Sequence, residues 1–437
     1  MDRPLYAYYG DDFTGSTDVL EVLASAGVRS VLFIGPPGER HVRRFRGCQA
    51  LGIAGDSRSR SPRWMSERLP ALLSRLGAFG APIAHYKTCS TFDSSPRIGS
   101  IGRALEIGRD TLPGPFIPIV VTAPHLGRYV AFGNLFADAG GVVHRIDRHP
   151  TMRAHPVTPM QEADLRRHLA AQTAMRIGLI ELPALARGAA AEALAGCLAA
   201  GDEAVLFDGV SEADLAQIGR VLWRSAQCRA LFCAGSSGLT HALLSVWRDA
   251  GLIPARSETQ SCGKPVDTLL AMSGSCSPVT ERQIQAALRA GYHGIALDPA
   301  LLLSEASGAQ AGERLVREAA ARLRDGRSTV LYSALGPPCT GSPASGEELG
   351  RRMGELLARI LAAAPVPRVL LAGGDTSSHA VAQLGLYALT WSASLEPGAP
   401  LCRAHAEERS ALEGLELVLK GGQVGSEGFF ERVRLGR

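Results

Sequence analysis

Two adjacent carboxylates follow the first apolar run of the chain, in the stretch YGDDFTGSTD at residues 9–18. The run before them, LYAYY, predicts a buried strand, and the pattern VLEVLASAG after them predicts a helix. Ligands of open α/β sheets bind at the carboxyl ends of strands, where Asp11 and Asp12 are expected. A helix cap by Ser16 or Thr17 explains part of this polarity but leaves the aspartate pair over. A carboxylate placed there could accept a proton from a substrate hydroxyl.

Two more strand-to-loop stretches of the first half carry polar groups. In GIAGDSRSRSP, residues 52–62, Arg58 could clamp a carboxylate with two parallel hydrogen bonds. For this stretch taken alone a solvated surface loop is the favoured explanation, because the chain is rich in arginine. The loop HYKTCSTFDSSPRIGSIGRAL, residues 85–105, gathers hydroxyls, a cation and glycines into a cradle for carboxylate or polyol groups. Cys89 within it is expected to be a small buried thiol and not a nucleophile.

Lysine is scarce in this sequence. Of 46 basic residues only Lys87, Lys264 and Lys420 are lysines. A position that keeps lysine against this bias is a candidate for a site that needs a compact ammonium instead of a planar guanidinium, although retention by chance explains it equally well.

Three glycine- or serine-rich turns mark the second half, and each follows an apolar run. They are SGSCSP at 273–278, GGDTSS at 373–378 and KGGQVG at 420–425. Glycines allow close approach of an anion, and amides with hydroxyls at a helix start bind phosphate oxygens, while an ordinary N-cap or a hairpin turn is the plainer explanation for each alone. Neither a Walker loop nor a GxGxxG fingerprint is present. Taken together the three turns indicate a nucleotide-binding half.

The elements that must position these residues alternate between apolar runs and Ala/Leu/Arg-rich amphipathic stretches. This alternation predicts an α/β fold with two domains, each a mostly parallel sheet flanked by helices. The boundaries predicted are an N-terminal domain at 1–250, a linker at 251–265 and a C-terminal domain at 266–437. The stretches near 231 and 369 share a strand, Gly/Ser turn and helix plan, as two related halves would.

Composition narrows the class of protein. A chain of 437 residues with 46% hydrophobic and 20% charged residues fits a globular protein, without a membrane-length apolar run or the layout of a signal peptide. Nine cysteines without metal-ligand spacing are expected to be reduced thiols, and the location to be cytoplasmic. The formal charge of +4, with basic residues spread along the chain, argues against a nucleic-acid partner and leaves homo-oligomerisation open.

In order along the chain, these stretches resemble the four-carbon acid sugar kinase family, whose members phosphorylate threonate, erythronate or 3-oxo-tetronate with ATP. The matching motifs are DDFTG, DSR at 56–58, KTCSTFDSS at 87–95, SGSCS at 273–277, GGDTS at 373–377 and KGGQVG at 420–425. The chain departs from the family's commoner pattern at Gly10 and Ser16, where alanine is common, and at KGGQVG, which replaces KSGNFG. Residues 124–137 and 147–165 resemble one branch of the family. His149, Arg153 and His155 there could serve the site, although ordering a loop is the favoured explanation.

The resemblance implies roles for specific residues. The N-terminal domain would bind the acid sugar through Asp12, Arg58, Lys87, Thr88, Cys89 and Ser90. The C-terminal domain would bind ATP through Ser275, Gly373, Gly374, Asp375, Thr376, Lys420, Gly421, Gly422, Gln423 and Gly425. The active site would lie in the inter-domain cleft.

The expected function is ATP- and Mg²⁺-dependent phosphorylation of a terminal hydroxyl on a four-carbon sugar acid. Asp12 is the first candidate for the base, with Asp11 and Asp375 as rivals, and the metal ligands are not identified. Two alternatives remain at this point: a non-catalytic sensor of nucleotide or sugar acid, and an NAD(P)-dependent dehydrogenase, which the missing GxGxxG disfavours.

Overall fold

The computed structural model describes residues 3–155, 157–255, 262–304, 306–336 and 343–437, apart from the side chains of 343–345, 375 and 376. The chain divides into two compact units. Unit 1 comprises Met1–Ser30 and Gly38–Ser257, and unit 2 comprises Val31–Pro37 and Glu258–Arg437. The short segment Val31–Pro37 thus leaves the N-terminal half and joins unit 2, which the sequence did not reveal.

Eleven strands precede residue 255 among the described residues. They are β1 (Tyr6–Gly10), β2 (Ser30–Phe33), β3 (Ala50–Ala54), β4 (Ile83–Lys87), β5 (Ile117–Val120), β6 (Arg128–Ala131), β7 (Asn134–Ala139), β8 (Val142–Arg145), β9 (Ile177–Ile180), β10 (Ala204–Phe207) and β11 (Leu231–Gly235). Unit 1 has the strand order β3-β1-β4-β11-β5-β10-β9, and every pairing in it is parallel. Strands β1, β3 and β4 are buried throughout, as sheets covered on both faces require.

The strands of the second half are β12 (Leu270–Ser273), β13 (His293–Ala296), β14 (Thr329–Tyr332), β15 (Arg368–Ala372), β16 (Leu386–Glu396), β17 (Ala399–Ala406) and β18 (Glu416–Lys420). Five of them form the parallel order β13-β14-β12-β15-β18. Antiparallel pairing then continues through β17 and β16 to β2, where Phe33 pairs with Ala388. The predicted α/β class with mostly parallel sheets is confirmed.

Fifteen α-helices lie within the described chain. They are α1 (Phe13–Ser25), α2 (Glu39–Arg44), α3 (Pro62–Gly77), α4 (Ile101–Thr111), α5 (Leu165–Ala170), α6 (Leu182–Ala186), α7 (Ala190–Ala199), α8 (Glu212–Cys228), α9 (Ser237–Asp249), α10 (Pro278–Arg289), α11 (Pro299–Leu303), α12 (Gly308–Arg324), α13 (Pro343–Ala363), α14 (Gly374–Ala382) and α15 (Phe429–Leu435). Serine or aspartate side chains cap several of them, for example Ser61 on α3 and Ser277 on α10. None of the described helices is long and apolar enough to cross a bilayer.

Antiparallel structure is where the sequence interpretation fell short. Residues 128–145 form a separate three-stranded antiparallel sheet, β6-β7-β8, and 386–406 form the long hairpin β16–β17. A hairpin turn after Lys420 was one explanation for the glycines there and is wrong, because β18 leads through a loop into α15. The eight described cysteines form no disulfide with one another.

Candidate active site

Three neighbouring strands of unit 1 deliver the predicted polar loops to one edge of the sheet. Gly10 of β1 is in register with Ala54 of β3 and with Lys87 of β4, so the loops that follow begin at the same level. Backbone hydrogen bonds tie these loops together: Asp11 N donates to Lys87 O at 2.9 Å, and Arg58 N donates to Asp11 O at 3.0 Å. Asp11, Asp12, Arg58 and Lys87 are therefore neighbours, as the sequence predicted.

Asp12 is the N-cap of α1, which corrects the idea that Ser16 or Thr17 caps this helix. Its Oδ1 accepts from Gly15 N at 2.8 Å, and its Oδ2 accepts from Thr14 Oγ1 at 2.9 Å. Arg58 Nη1 lies 3.7 Å from the same Oδ2. With 24% of its side chain exposed, the carboxylate is fixed in place yet accessible to a ligand. The helix cap and an accessible carboxylate are the same residue.

Asp11 has a different environment from its neighbour. It is 5% exposed, and its Oδ1 is buried with no hydrogen-bond partner among the described residues. Burial raises the pKa of Asp11 to about 8, and the negative charge of Asp12 adds to this, while Arg58 and Lys87 act in the opposite direction. Asp11 is therefore mostly protonated at neutral pH, when a base must be ionised.

Arg58 is held by a carboxylate that the site prediction left out. Its Nη2 donates to Asp93 Oδ1 at 2.8 Å and to Oδ2 at 2.9 Å. Asp93 also accepts from Thr91 Oγ1 at 2.5 Å and from Thr158 Oγ1 at 2.9 Å. Burial on its own would raise the pKa of Asp93, but Arg58 and these donors outweigh it and bring the pKa to about 2. Asp93 is thus a permanent anion that fixes one end of the guanidinium.

Lys87 is buried at the end of β4, and its Nζ lies 3.6 Å from Asp18 Oδ2 of α1. Burial tends to lower the pKa of Lys87, but the carboxylates of Asp18 and Asp12 outweigh it, so the pKa is raised and the ammonium stays charged. A Cβ on Gly15 would lie 3.0 Å from this Nζ and 2.3 Å from Asp12 Oδ1. The glycine of DDFTG is therefore required by the close approach of these two side chains.

The loop after Lys87 contains the remaining predicted acid-sugar residues. Thr88 is fully buried, and its N donates to Gly235 O at 2.7 Å. Cys89 was expected to be buried but is only half-buried. Its Sγ accepts a hydrogen bond from Thr91 Oγ1 at 3.0 Å. Ser90 is partly exposed. Thr88 thus anchors the loop, while Cys89 and Ser90 remain reachable. Asp11, Asp12, Asp18, Arg58, Lys87 and Asp93 are called the charged cluster below.

Other neighbours of the cluster were missed by sequence reasoning. The rings of His125, after β5, and His241, in α9, are in contact, with centroids 3.9 Å apart and planes tilted by 37°. Burial lowers the pKa of His125, and the carboxylate of Asp18 acts in the opposite direction. Thr158, which donates to Asp93, is also hydrogen-bonded to His155: Thr158 N donates to His155 Nδ1 at 3.0 Å. Among the residues missing from the predicted site, Asp93 could have been found from the sequence, because it lies inside the KTCSTFDSS motif. His149 orders its loop by accepting from Thr151 N and Met152 N, both at 3.2 Å.

In unit 2 the three predicted turns also meet at one sheet edge. Strands β12, β15 and β18 are adjacent, Gly274 N donates to Ala372 O at 3.2 Å, and Gly373 N donates to Lys420 O at 2.9 Å. Gly373 has φ 111°, a conformation that favours glycine, and precedes α14. These turns, at 273–278, 373–374 and 420–425, are called the glycine turns below. The side chains of Asp375 and Thr376 lie outside the described residues.

Two of the glycine turns are in contact, and they leave no room for a side chain at Gly422. A Cβ on Gly422 would lie 2.6 Å from Ser275 Oγ and 3.1 Å from Ser277 Cβ. Ser277 N in turn donates to Ser275 Oγ at 3.2 Å, at the start of α10. Such a cradle of glycine and serine beside a helix N-terminus suits phosphate oxygens.

The rest of the third turn, at 420–425, is hydrogen-bonded to a side chain of α10. Gln283 Nε2 of α10 donates to the carbonyl oxygens of Val424 at 3.1 Å and Gly425 at 2.8 Å. Gly421 is partly exposed and Gln423 is exposed, so both are available to a ligand.

Lys420 is fully buried beneath the third turn. Its Nζ donates to Thr280 Oγ1 at 2.9 Å, and this hydroxyl donates to Gly422 O at 2.8 Å. Burial lowers the pKa of Lys420 to about 8, with Glu396 acting in the opposite direction. Its described hydrogen bonding therefore supports the shape of the turn.

Comparisons with known proteins match the two halves of the chain to two different domain families. Residues 6–243 match the family described as a sugar-binding N-terminal domain, and residues 270–430 match the nucleotide-binding C-terminal domain. A 3-oxo-isoapionate kinase of Paraburkholderia graminis is 47% identical, covering 99% of this chain and 94% of its own. A 3-oxo-tetronate kinase of Pseudomonas fluorescens is 32% identical, covering 99% of this chain and 96% of its own.

Solved structures share the fold over nearly the whole length. The crystal structure of a protein from Salmonella typhimurium LT2 has a TM-score of 0.77 at 28% identity and covers 98% of this chain and 97% of its own. A Haemophilus influenzae protein of the DUF1537 family has a TM-score of 0.73 at 25% identity, with 98% of both chains covered.

Proposed function

We propose that this chain, which belongs to the four-carbon acid sugar kinase family and is a kinase, uses ATP to phosphorylate a terminal hydroxyl of a short 3-oxo sugar acid. The observation that carries the proposal is the convergence of Asp12, Arg58 and Lys87 at one sheet edge of the sugar-binding unit. A cation pair beside an accessible carboxylate suits a substrate that is an acid at one end and a nucleophilic alcohol at the other.

Arg58 and Lys87 would hold the substrate carboxylate. Asp93 engages one guanidinium nitrogen of Arg58 and fixes its plane, while Nη1 points toward Asp12 and the accessible side. Lys87 keeps its charge despite burial and adds a compact donor. Charge-assisted hydrogen bonds from fixed donors are about twice as strong as neutral ones, so this arrangement favours an anionic substrate over a neutral sugar.

Asp12 is the better candidate for the base. Asp11 is buried and mostly neutral at pH 7, whereas Asp12 is accessible and is held in one orientation by its capping hydrogen bonds. In the proposed step the substrate hydroxyl oxygen attacks the γ-phosphorus and the bond to the β–γ bridging oxygen breaks. The hydroxyl proton passes to Asp12, and ADP leaves.

The glycine turns would bind the nucleotide phosphates, through backbone amides and the Ser275 hydroxyl, with Gly421, Gln423 and Gly425 beside them. Asp375 and Thr376, at the start of α14, remain proposed contacts. The described residues contain no group of three or more His, Cys, Asp or Glu that could hold a metal. Mg²⁺ would be held by the nucleotide phosphates and one or two carboxylates, and it would supply neutralisation of phosphate charge.

The substrate class is proposed from the relatives. The name of the 47% identical relative specifies 3-oxo-isoapionate, and that of the 32% identical relative specifies 3-oxo-tetronate, so the 3-oxo acid is their shared feature. We place 3-oxo-isoapionate first because its kinase has the higher identity, and threonate and erythronate after the two 3-oxo acids.

The test is ADP formation by the purified full chain with ATP, Mg²⁺ and each of these four acids. We expect turnover with a 3-oxo acid and an efficiency at least tenfold lower with the 3-hydroxy acids. If the protein bound ATP and the acids but formed ADP with none of the four, the proposed substrate class would be overturned. Equal activity with a neutral four-carbon polyol would contradict the roles given to Arg58 and Lys87.

A further inference from the structure

A cavity of 810 Å³ lies in unit 1 at the amino ends of the strands. Pro4, just before β1, and Leu51 in β3 form part of its wall, and the rest comes from α2 and the end of α3. The charged cluster lies at the carboxyl ends of the same strands, and five residues of β1 at about 3.3 Å each place roughly 16 Å of strand between the two. Its volume is in the usual range for small-molecule pockets, about 300–1,000 Å³.

The lining is strongly basic. Arg3, Arg43, Arg46 and Arg75 line the cavity, against Glu39 as the one acidic residue among its lining residues. Arg43 and Arg46 belong to the stretch ERHVRRFR at 39–46, a local concentration of basic residues in a chain whose basic residues are otherwise spread along its length. The side chains of Arg43 and Arg46 are exposed and have no ion-pair partner in the described parts of the chain. An excess of fixed positive charge in a concave site attracts anions.

Arg75 adds an observation that points toward a ligand. Its Nε is buried and has no hydrogen-bond partner among the described residues. Its guanidinium is held in place by Phe79, with Cζ 5.9 Å from the centroid of the ring. A buried donor without a partner costs free energy, which an acceptor bound in the cavity would recover. Arginine held on an aromatic ring is also suited to carboxylate and phosphate groups.

Apolar side chains complete the cavity and define the body of the ligand. Val42, Phe45, Leu51 and Phe79 line it beside the arginines. We propose that this cavity is a second ligand site, which binds a small organic anion with a phosphate or carboxylate group and an aromatic or other apolar body. The position at the opposite sheet edge means that this ligand does not compete with the sugar acid.

Calorimetric titration of the full chain with phenyl phosphate and with benzoate tests the site and separates the two anion classes. Benzyl alcohol is the neutral control. We expect at least one anion to bind at least tenfold more tightly than the alcohol. The double variant Arg43→Gln/Arg75→Gln should raise its Kd at least tenfold, whereas Arg63→Gln on the same α3, an exposed partner of Glu67, should leave it unchanged.

A second variant keeps the arginines and removes the space. Ala78→Trp, at the cavity wall, should abolish binding while the melting temperature stays that of the parent. The proposal would be overturned if the parent, Arg43→Gln/Arg75→Gln and Ala78→Trp bound the aromatic anion with equal affinity. It would also be overturned if the parent bound inorganic phosphate as tightly as the aromatic anion. Loss of binding in Arg58→Gln or Gly422→Ala would assign the anion to the kinase sites instead. ADP formation, measured separately, reports on the proposed kinase function and is independent of these outcomes.

Discussion

The charged cluster and the glycine turns, which we propose as the two anion-binding regions, present different chemical groups to a ligand. In the cluster, Arg58 and Lys87 carry full charges, and Asp93 and Asp18 hold them in position. In the glycine turns the groups are backbone amides and serine hydroxyls, and the one lysine, Lys420, is buried beneath them. Side-chain charges can be adapted to one acid, whereas a backbone cradle recognises any phosphate chain of the right shape. Substitutions in the two regions should therefore have separable effects.

Asp12→Asn tests the base of the charged cluster and should have the largest effect. Asparagine is as good an N-cap as aspartate, so the stability of α1 should be retained. It cannot accept the proton, so we expect kcat to fall about 10²- to 10⁴-fold with little change in either KM. The control is Asp56→Asn, which removes a neighbouring carboxylate that pairs with Arg60. Unchanged kcat in Asp12→Asn would move the base to another carboxylate.

Gly422→Ala tests the glycine turns. The added methyl would collide with Ser275 Oγ, and the turn would have to open. The KM for ATP should rise about tenfold, equal to ~1.4 kcal/mol of binding free energy, while the KM for the acid stays constant. Gly428→Ala is the matched control, because a Cβ there has nothing within 4 Å. If both variants changed the KM for the acid alone, the comparison between the regions would fail.

Asp93→Asn sharpens the view that Arg58 is held in position. The substitution removes the negative charge that receives Arg58 Nη2, and we expect the KM for the acid to rise several-fold, with kcat within about threefold of the parent. Steady-state kinetics with the acid varied at saturating ATP would measure this split. Asp110→Asn, an exposed partner of Arg109, serves as the control. A fall in kcat with constant KM would instead make Asp93 part of the chemical step.

Asp11→Asn should change activity least and the pH dependence of stability most clearly. Because the pKa of Asp11 is raised from 3.8 to about 8 in the fold, its contribution to stability is full below about pH 3.8 and is lost as the pH rises through 8. The variant lacks this titration. Between about pH 5 and 9 its melting temperature should therefore fall less than that of the parent, by about a few degrees. Identical pH profiles would show that Asp11 is ionised in the fold.

Much of the candidate site was readable because strand, turn and helix patterns are local. Strands β1, β3 and β4 and the loops after them follow from short apolar runs bounded by polar residues, and parallel pairing then brings their carboxyl ends together. The antiparallel sheet at 128–145 and the hairpin at 386–406 were missed, because their pairing depends on partners elsewhere in the unit. The transfer of Val31–Pro37 to unit 2 was missed for the same reason.

The sequence alone determined the α/β class, the family and the loops that we propose for the active site. These follow from local periodicity and from motifs whose order is preserved along the chain. Only the tertiary structure decided which aspartate is buried, because the environments of Asp11 and Asp12 depend on which atoms pack around each. Only it joined Asp93 to Arg58, 35 residues apart, and gathered Arg3 and Arg75 around one cavity. Burial and ion pairing between distant residues arise from packing, and neighbouring sequence carries little information about them.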